Sequence, residues 1–202
     1  INAYQQTNEP LAQTPSQSLQ HESSHLLEQH LPRELSIKEL ESLLEASDIK
    51  AKQLIALLLS GLRLDEIAAL KSEHIDLNNG LMSIGGTNQR TIALSKTLKS
   101  LFKQAQPCPA WTSDKSISAE ALADILVYAA VDSGLTEPQE ISSEAIRHSY
   151  IMFLVKQGIR LSDLDQVFGS IEPSVLSKYS RFSPEKRGIP LAEINLVHPA
   201  LR

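Results

Sequence analysis

Cysteine is almost missing from this 202-residue chain: Cys108 stands alone, which excludes a disulfide framework and any zinc site built on several cysteines. A reducing, cytoplasmic setting is therefore expected. Aromatic residues are also scarce, at 4%. With hydrophobic residues at 42%, that aliphatic balance favours packed helices over a β-sandwich. Long apolar runs are lacking too. Runs such as Leu54 to Leu59 fall far below the roughly 18 residues that span a bilayer, so no membrane partner is expected. Positive charge is not in surplus, the formal net charge being −5 and the pI near 5.7. A uniformly basic nucleic-acid binder is thereby excluded, although a basic face on an acidic body is not.

The chain begins at Ile1 and reads as a fragment of a longer protein, with no charged-then-apolar leader. Residues 1–34 are rich in Gln, Ser, Thr and Pro and read as a polar linker, disordered or partly helical. Its His21, His25 and His30 lack a carboxylate or cysteine at matching spacing, so no metal site is assigned to them. From 35 onward the pattern is that of a folded domain. Ser36 with Glu39 forms a capping box before Leu40, Leu43 and Leu44. A second helix runs from about Asp48 towards Gly61, and a third holds Leu64, Ile67, Ala68 and Leu70. The period then changes. "HIDLNNGLMSIGG" alternates around Asn79-Gly80, a strong hairpin signal, and "RTIAL" (Arg90 to Leu94) supplies a third strand. Helices are expected again from Ser95 and over about 118–133, 141–157, 161–168 and 173–179. An amphipathic "PLAEINLVHPAL" closes the chain. The expected class is α+β, mainly helical, with helices around a small three-stranded antiparallel sheet.

Three polar features interrupt this apolar pattern. "LLLSGLRLDEIAALKSEHID" sets Arg63 between two apolar helical runs, three residues before Glu66. "SSEAIRHSY" sets Arg147 and His148 in a helix whose apolar face is Ile146, Ile151, Leu154 and Val155. "FGSIEPSVLSKYSRF" places Tyr179 among Lys178, Arg181, Lys186 and Arg187. Taken singly, each has a plainer use: a helix-joint arginine, a helix arginine paired with Glu144 at i−3, and a half-buried tyrosine.

Together, in this order, they resemble the catalytic domain of the tyrosine recombinase (phage integrase) family over residues 35–202. The Gly61-Leu62-Arg63 run with Glu66 resembles the first arginine box, "GGTNQRTIAL" the β-hairpin after it, and "EAIRHSYIMFLVKQGIRLSDLDQVFG" the second box. Tyr179, nine residues after Ser170, stands at the nucleophile's place. The resemblance implies that Arg63 and Arg147 clamp one phosphodiester, with Glu66 fixing Arg63 and His148 supporting, while Tyr179 attacks phosphorus. It implies double-stranded DNA as partner, touched by Arg90, Lys178 and Arg181, assembly as a homo- or hetero-oligomer on DNA, and no cofactor or metal.

Three positions depart from the family. A hairpin lysine that protonates the departing 5′ oxygen is replaced by Thr87 (or Gly86, depending on the gap). The histidine opening the second box is Glu144, a carboxylate positioned to occupy Arg147 as an ion pair. The histidine or tryptophan after the later glycine is Ser170. Loss of a general acid lowers rates by roughly 10²–10⁴-fold. The expected function is therefore DNA recombination or integration through a phosphotyrosine, slow or inactive. The alternatives are a non-catalytic DNA-binding or assembly partner of an active recombinase, and a helical interaction domain that has inherited only the fold.

Overall fold

The computed structural model describes residues 31–105, 109, 117–184 and 188–202. The expected linker lies almost wholly outside the described residues, as do His21, His25, His30, Cys108, Lys186 and Arg187. The compact unit spans Pro32–Arg202, and residues 33–35 are tied down in it. Arg33 pairs with Glu39 and Glu140, Glu34 pairs with Lys156 at 2.7 Å, and the Leu35 N–H donates to Ser149 Oγ at 2.7 Å.

Each early helix starts where a side chain can take an orphan N–H. Ser36 Oγ accepts from the Glu39 N–H, and Glu39 returns the bond to the Ser36 N–H, opening α1 (Ile37–Ala46). Asp48 caps α2 (Ile49–Leu58) through the Ala51 N–H. Helix α2 is the central one, with Leu54, Ile55, Leu57 and Leu58 fully buried. Each such side chain contributes about 1.5–3 kcal/mol as an upper estimate. The chain then turns at Gly61 into α3 (Leu64–Ala68). Gly61 has φ +95°, and a Cβ there would meet the Phe168 ring and the Val167 carbonyl at 3.1 Å. The left-handed φ favours glycine, and the close approach leaves a Cβ little room.

Strands β1 (Ile75–Asp76), β2 (Leu81–Ile84) and β3 (Arg90–Ala93) form one antiparallel sheet in that order, Ile84 opposite Arg90. The hairpin expected at Asn79-Gly80 joins β1 to β2. Its turn spans four residues, the Asp76 carboxylate accepting from the Asn78 and Asn79 N–H groups, with only Gly80 at positive φ. Helices α4 (Lys96–Gln104), α5 (Ala119–Asp132) and α6 (Ser143–Lys156) follow, and all three pack on α2. Gln53, fully buried on α2, donates to the Leu101 carbonyl and fixes α4. The helix expected over 161–168 opens as a 3₁₀ turn, Leu161–Asp163, before α7 (Leu164–Phe168); α8 (Pro173–Ser180) follows. This α+β arrangement, mainly helical around one three-stranded sheet, is the class read from the pattern.

The last apolar piece is not a continuous helix. Pro190 and Pro199 open separate 3₁₀ turns, and the segment packs on its own domain. Tyr150 donates to the Leu196 carbonyl, Gln157 to the Asn195 carbonyl, and Thr97 to the Leu201 carbonyl. His198 is buried against Phe153 and Tyr150. Burial, helped by Arg202 and opposed by Glu34, lowers its imidazole to about 4. The unfolded chain protonates near the ordinary histidine value of about 6.5. Stability from this neutral imidazole is thus present above about pH 6.5 and lost as the pH falls towards 4. His198→Asn, which keeps a cap acceptor for the Ala200 N–H, should flatten the pH dependence of the melting temperature across that window.

Candidate active site

Arg63 stands at the N-cap of α3, its side chain 37% exposed. Its guanidinium lies against Asp65, Nε to Oδ1 at 3.1 Å and Nη2 to Oδ2 at 3.2 Å. Asp65 is itself well exposed, so solvent weakens the pair and an incoming phosphate can compete for the arginine. The resemblance implied that Glu66 fixes Arg63, and Glu66 Oε2 accepts from the Arg63 backbone N–H at 2.9 Å.

The Glu66 carboxylate belongs chiefly to Arg90, with Oε1 on Nη1 at 2.6 Å and Oε2 on Nη2 at 2.9 Å. Both side chains are only 6% exposed. Burial alone would raise Glu66, but the Arg90 fork and the Arg63 N–H outweigh it and hold the carboxyl below its ordinary range. Arg90 also donates to the Val167 carbonyl at 2.9 Å and the Asn88 carbonyl at 3.0 Å. Arg90, which the resemblance puts on the DNA backbone, joins α3, the hairpin and α7 through these bonds.

Arg147, on α6, ties two further pieces together. Its Nε donates to the Gly61 carbonyl at 3.2 Å, two residues before Arg63, and Nη2 to the Phe168 carbonyl at 2.9 Å. The Phe168 ring lies beneath the guanidinium, 5.3 Å from Cζ. Burial lowers the pKa of Arg147, Glu66 opposes that, and the positive charges of Arg63 and Arg90 add to it. A guanidinium keeps its proton regardless. The guanidiniums of Arg63, Arg90 and Arg147 thus act on one another around the buried Glu66 carboxylate, a net positive field suited to a diester anion.

One residue along α6, His148 Nδ1 lies 2.8 Å from the Tyr179 hydroxyl oxygen, and both residues are buried. Burial pushes the tyrosine up to about 12, partly offset by the Arg147 charge, and pushes the histidine down. Lys178 and Arg181 flank Tyr179 along the chain; Arg181 is exposed and donates to the Lys178 carbonyl at 3.1 Å.

The chain is similar to known proteins over most of this region. The family model described as "Phage integrase family" matches residues 33–186. The chain is a member of the phage integrase family. It is 27% identical over 176 residues to tyrosine recombinase XerD of Listeria monocytogenes serotype 4b (strain F2365), covering 75% of this chain and 59% of that protein. Among solved structures it resembles XerA recombinase, at TM-score 0.65 and 16% identity, covering 75% of this chain and 59% of that one. It also resembles XerH recombinase in a post-cleavage complex with palindromic difH substrate, at TM-score 0.59 and 21% identity, covering 77% and 51% respectively. The chain therefore spans less than two thirds of the length of these relatives, and at such identities the solved structures establish the fold.

The three positions that depart from the family sit in different surroundings. Thr87 lines a cleft of about 260 Å³ beside Arg63, together with Asp65, His74, Gly86 and Asn88. Ser170 donates its backbone N–H to Asn88 Oδ1 at 3.2 Å. That contact holds the hairpin turn against the α7–α8 loop, and it needs Gly169, where a Cβ would come within 2.8 Å of Asn88 Cβ. Glu144 does not pair with Arg147. It is exposed, accepts from Ser143 Oγ at 2.8 Å, and lines a different cavity against Leu126 and Val127 of α5. Sequence reasoning missed Asp65, Asn88 and the carbonyls of Gly61, Val167 and Phe168. Backbone acceptors leave no residue-type signal, whereas Asp65, two residues from Arg63, was there to be weighed. Among the described residues, no group of three or more His, Cys, Asp or Glu side chains could hold a metal ion, and no helix is long and apolar enough to cross a membrane.

Proposed function

We propose that this chain is the catalytic part of a DNA recombinase or integrase. Tyr179 would take one strand as a 3′ phosphotyrosine while Arg63 and Arg147 neutralise the phosphodiester, with strand cleavage slow. One observation carries the reading: Arg147 bonds the turn bearing Arg63, and its neighbour His148 bonds Tyr179, so the three residues belong to one network. In-line attack by a tyrosine with two guanidiniums on the non-bridging oxygens requires those groups together. The slowness follows from Thr87, Glu144 and Ser170, none of which supplies the proton donors that the family uses. Double-stranded DNA is the partner, with Lys178 and Arg181 on its backbone, an oligomer forming on the DNA, and the cytoplasm as the place of action. XerH, bound to difH, and lambda integrase, solved as a dimer on a core site, are relatives in fold whose complexes agree with this reading.

A second reading, a DNA-binding or assembly partner without chemistry, draws on the burial of the Tyr179 hydroxyl against His148. Relaxation of a negatively supercoiled plasmid at low salt separates the two without a known target site. Slow relaxation by the native chain that disappears in Tyr179→Phe supports the enzyme. Relaxation only by the Thr87→Lys, Glu144→His, Ser170→His variant supports the partner. Silence from both, with salt-insensitive or absent duplex binding, removes DNA from the account.

A further inference from the structure

We propose that His148 is the proton acceptor for Tyr179, a role that rests on the reading of Tyr179 as nucleophile. The geometry is direct: Nδ1 lies 2.8 Å from the hydroxyl oxygen, within the range of a bond through which a proton passes. The ring is held rigidly enough to aim it. Its centroid lies 5.5 Å from the Tyr179 ring, and it is 5% exposed on a helix whose buried face is locked in the core. The neighbouring Arg147 fixes the same turn of α6 to two backbone carbonyls. The box position at 144, where the family places a histidine, holds a glutamate that points elsewhere, so His148 is the imidazole on this helix that touches the nucleophile.

The assignment sets the tautomer. Neutral His148 carries its proton on Nε2 and leaves Nδ1 bare, so the tyrosine O–H donates to it. In the forward step the Tyr179 oxygen forms its bond to phosphorus and the P–O5′ bond breaks. The hydroxyl proton passes to Nδ1, and the 5′ oxygen departs with its electron pair and takes a proton from solvent. Rejoining reverses each movement, with His148 returning its proton to the tyrosine. The electrostatics agree, because burial keeps the imidazole neutral and ready to accept near pH 7. The charged groups facing it are Glu34, which raises its pKa, and Lys156, which lowers it; these two form their own 2.7 Å ion pair, so their effects oppose each other. Arg147, beside it, favours the phenolate form of Tyr179.

The test is single-turnover formation of the covalent protein–DNA complex on supercoiled plasmid, trapped by denaturation and followed from pH 5 to 8. The native chain should show a rate that falls at low pH with one inflection below the ordinary histidine range, where Nδ1 becomes protonated. His148→Asn places an amide oxygen near Nδ1 that accepts the hydrogen bond but not the proton. It should react about 10²–10³-fold more slowly and lose the inflection, while its melting temperature stays close to native. A His148→Asn rate equal to or above the native rate overturns the proposal and makes the contact a latch. No covalent complex from the native chain overturns the reading of Tyr179 itself, and the acceptor role with it. Nitrogen-15 imidazole spectra of the unmodified protein give a check free of any variant: a protonated Nδ1 at neutral pH overturns the proposal, and a bare one supports it.

Discussion

Arg147→Ala is expected to lower covalent complex formation on DNA by at least 10²–10³-fold, the loss that follows removal of one preorganised donor to a developing oxyanion. The effect has two sources that a second variant separates. In the proposed reaction the guanidinium neutralises the phosphodiester, and in the fold it tethers the Gly61 turn, hence Arg63, to the Phe168 end of α7. Alanine removes both. Each charge-assisted bond to a carbonyl contributes roughly 1.5–3 kcal/mol, so the melting temperature should fall by several degrees as well. Arg147→Lys keeps the charge, but an ammonium cannot present a planar fork to two carbonyls and a phosphate at once. It should therefore recover part of the stability and little of the rate. Full activity in Arg147→Lys, measured as trapped complex at saturating protein, would show that charge alone is needed and that the tether is idle.

The framework of this domain was legible because its signals are local. Ser36 with Glu39, Asp48, Ser95 and Ser118 each cap a helix within three residues, and the change from helical to alternating period at His74 to Ile84 marks the sheet. Arg63, Arg147 and Tyr179 were legible as a set because order and spacing carry the resemblance. What the chain hides is how distant residues use one another. Arg90 has the look of a surface cation on a hairpin, yet its partners are Glu66, 24 residues back, and the carbonyl of Val167, 77 residues on. Glu144 has ideal i−3 spacing for an ion pair with Arg147, but carbonyls from two other elements take that guanidinium. Local spacing says which pairs can meet, and packing decides which do.

Glu66→Ala is expected to cost about 3–5 kcal/mol, the penalty for leaving a buried charge without its partner. At roughly 2–4 °C per kcal/mol for a chain of this size, the melting temperature should drop by about 6–20 °C. The guanidinium of Arg90, 6% exposed in the native fold, would keep the Val167 and Asn88 carbonyls but lose its carboxylate partner, and the Arg63 N–H would lose its acceptor. Acid should act in the same direction. Because Glu66 is held below its ordinary range, its contribution is present above the unfolded value of about 4.3 and is lost as the pH falls through the lower folded value. The paired replacement Glu66→Leu with Arg90→Met removes both charges and should restore most of the stability, since an apolar pair of similar volume is often no worse than a buried ion pair. Duplex binding by that double variant then tells strut from contact. Binding and salt slope equal to native place Arg90 wholly inside the fold, whereas a slope reduced by about one would put its charge on a phosphate.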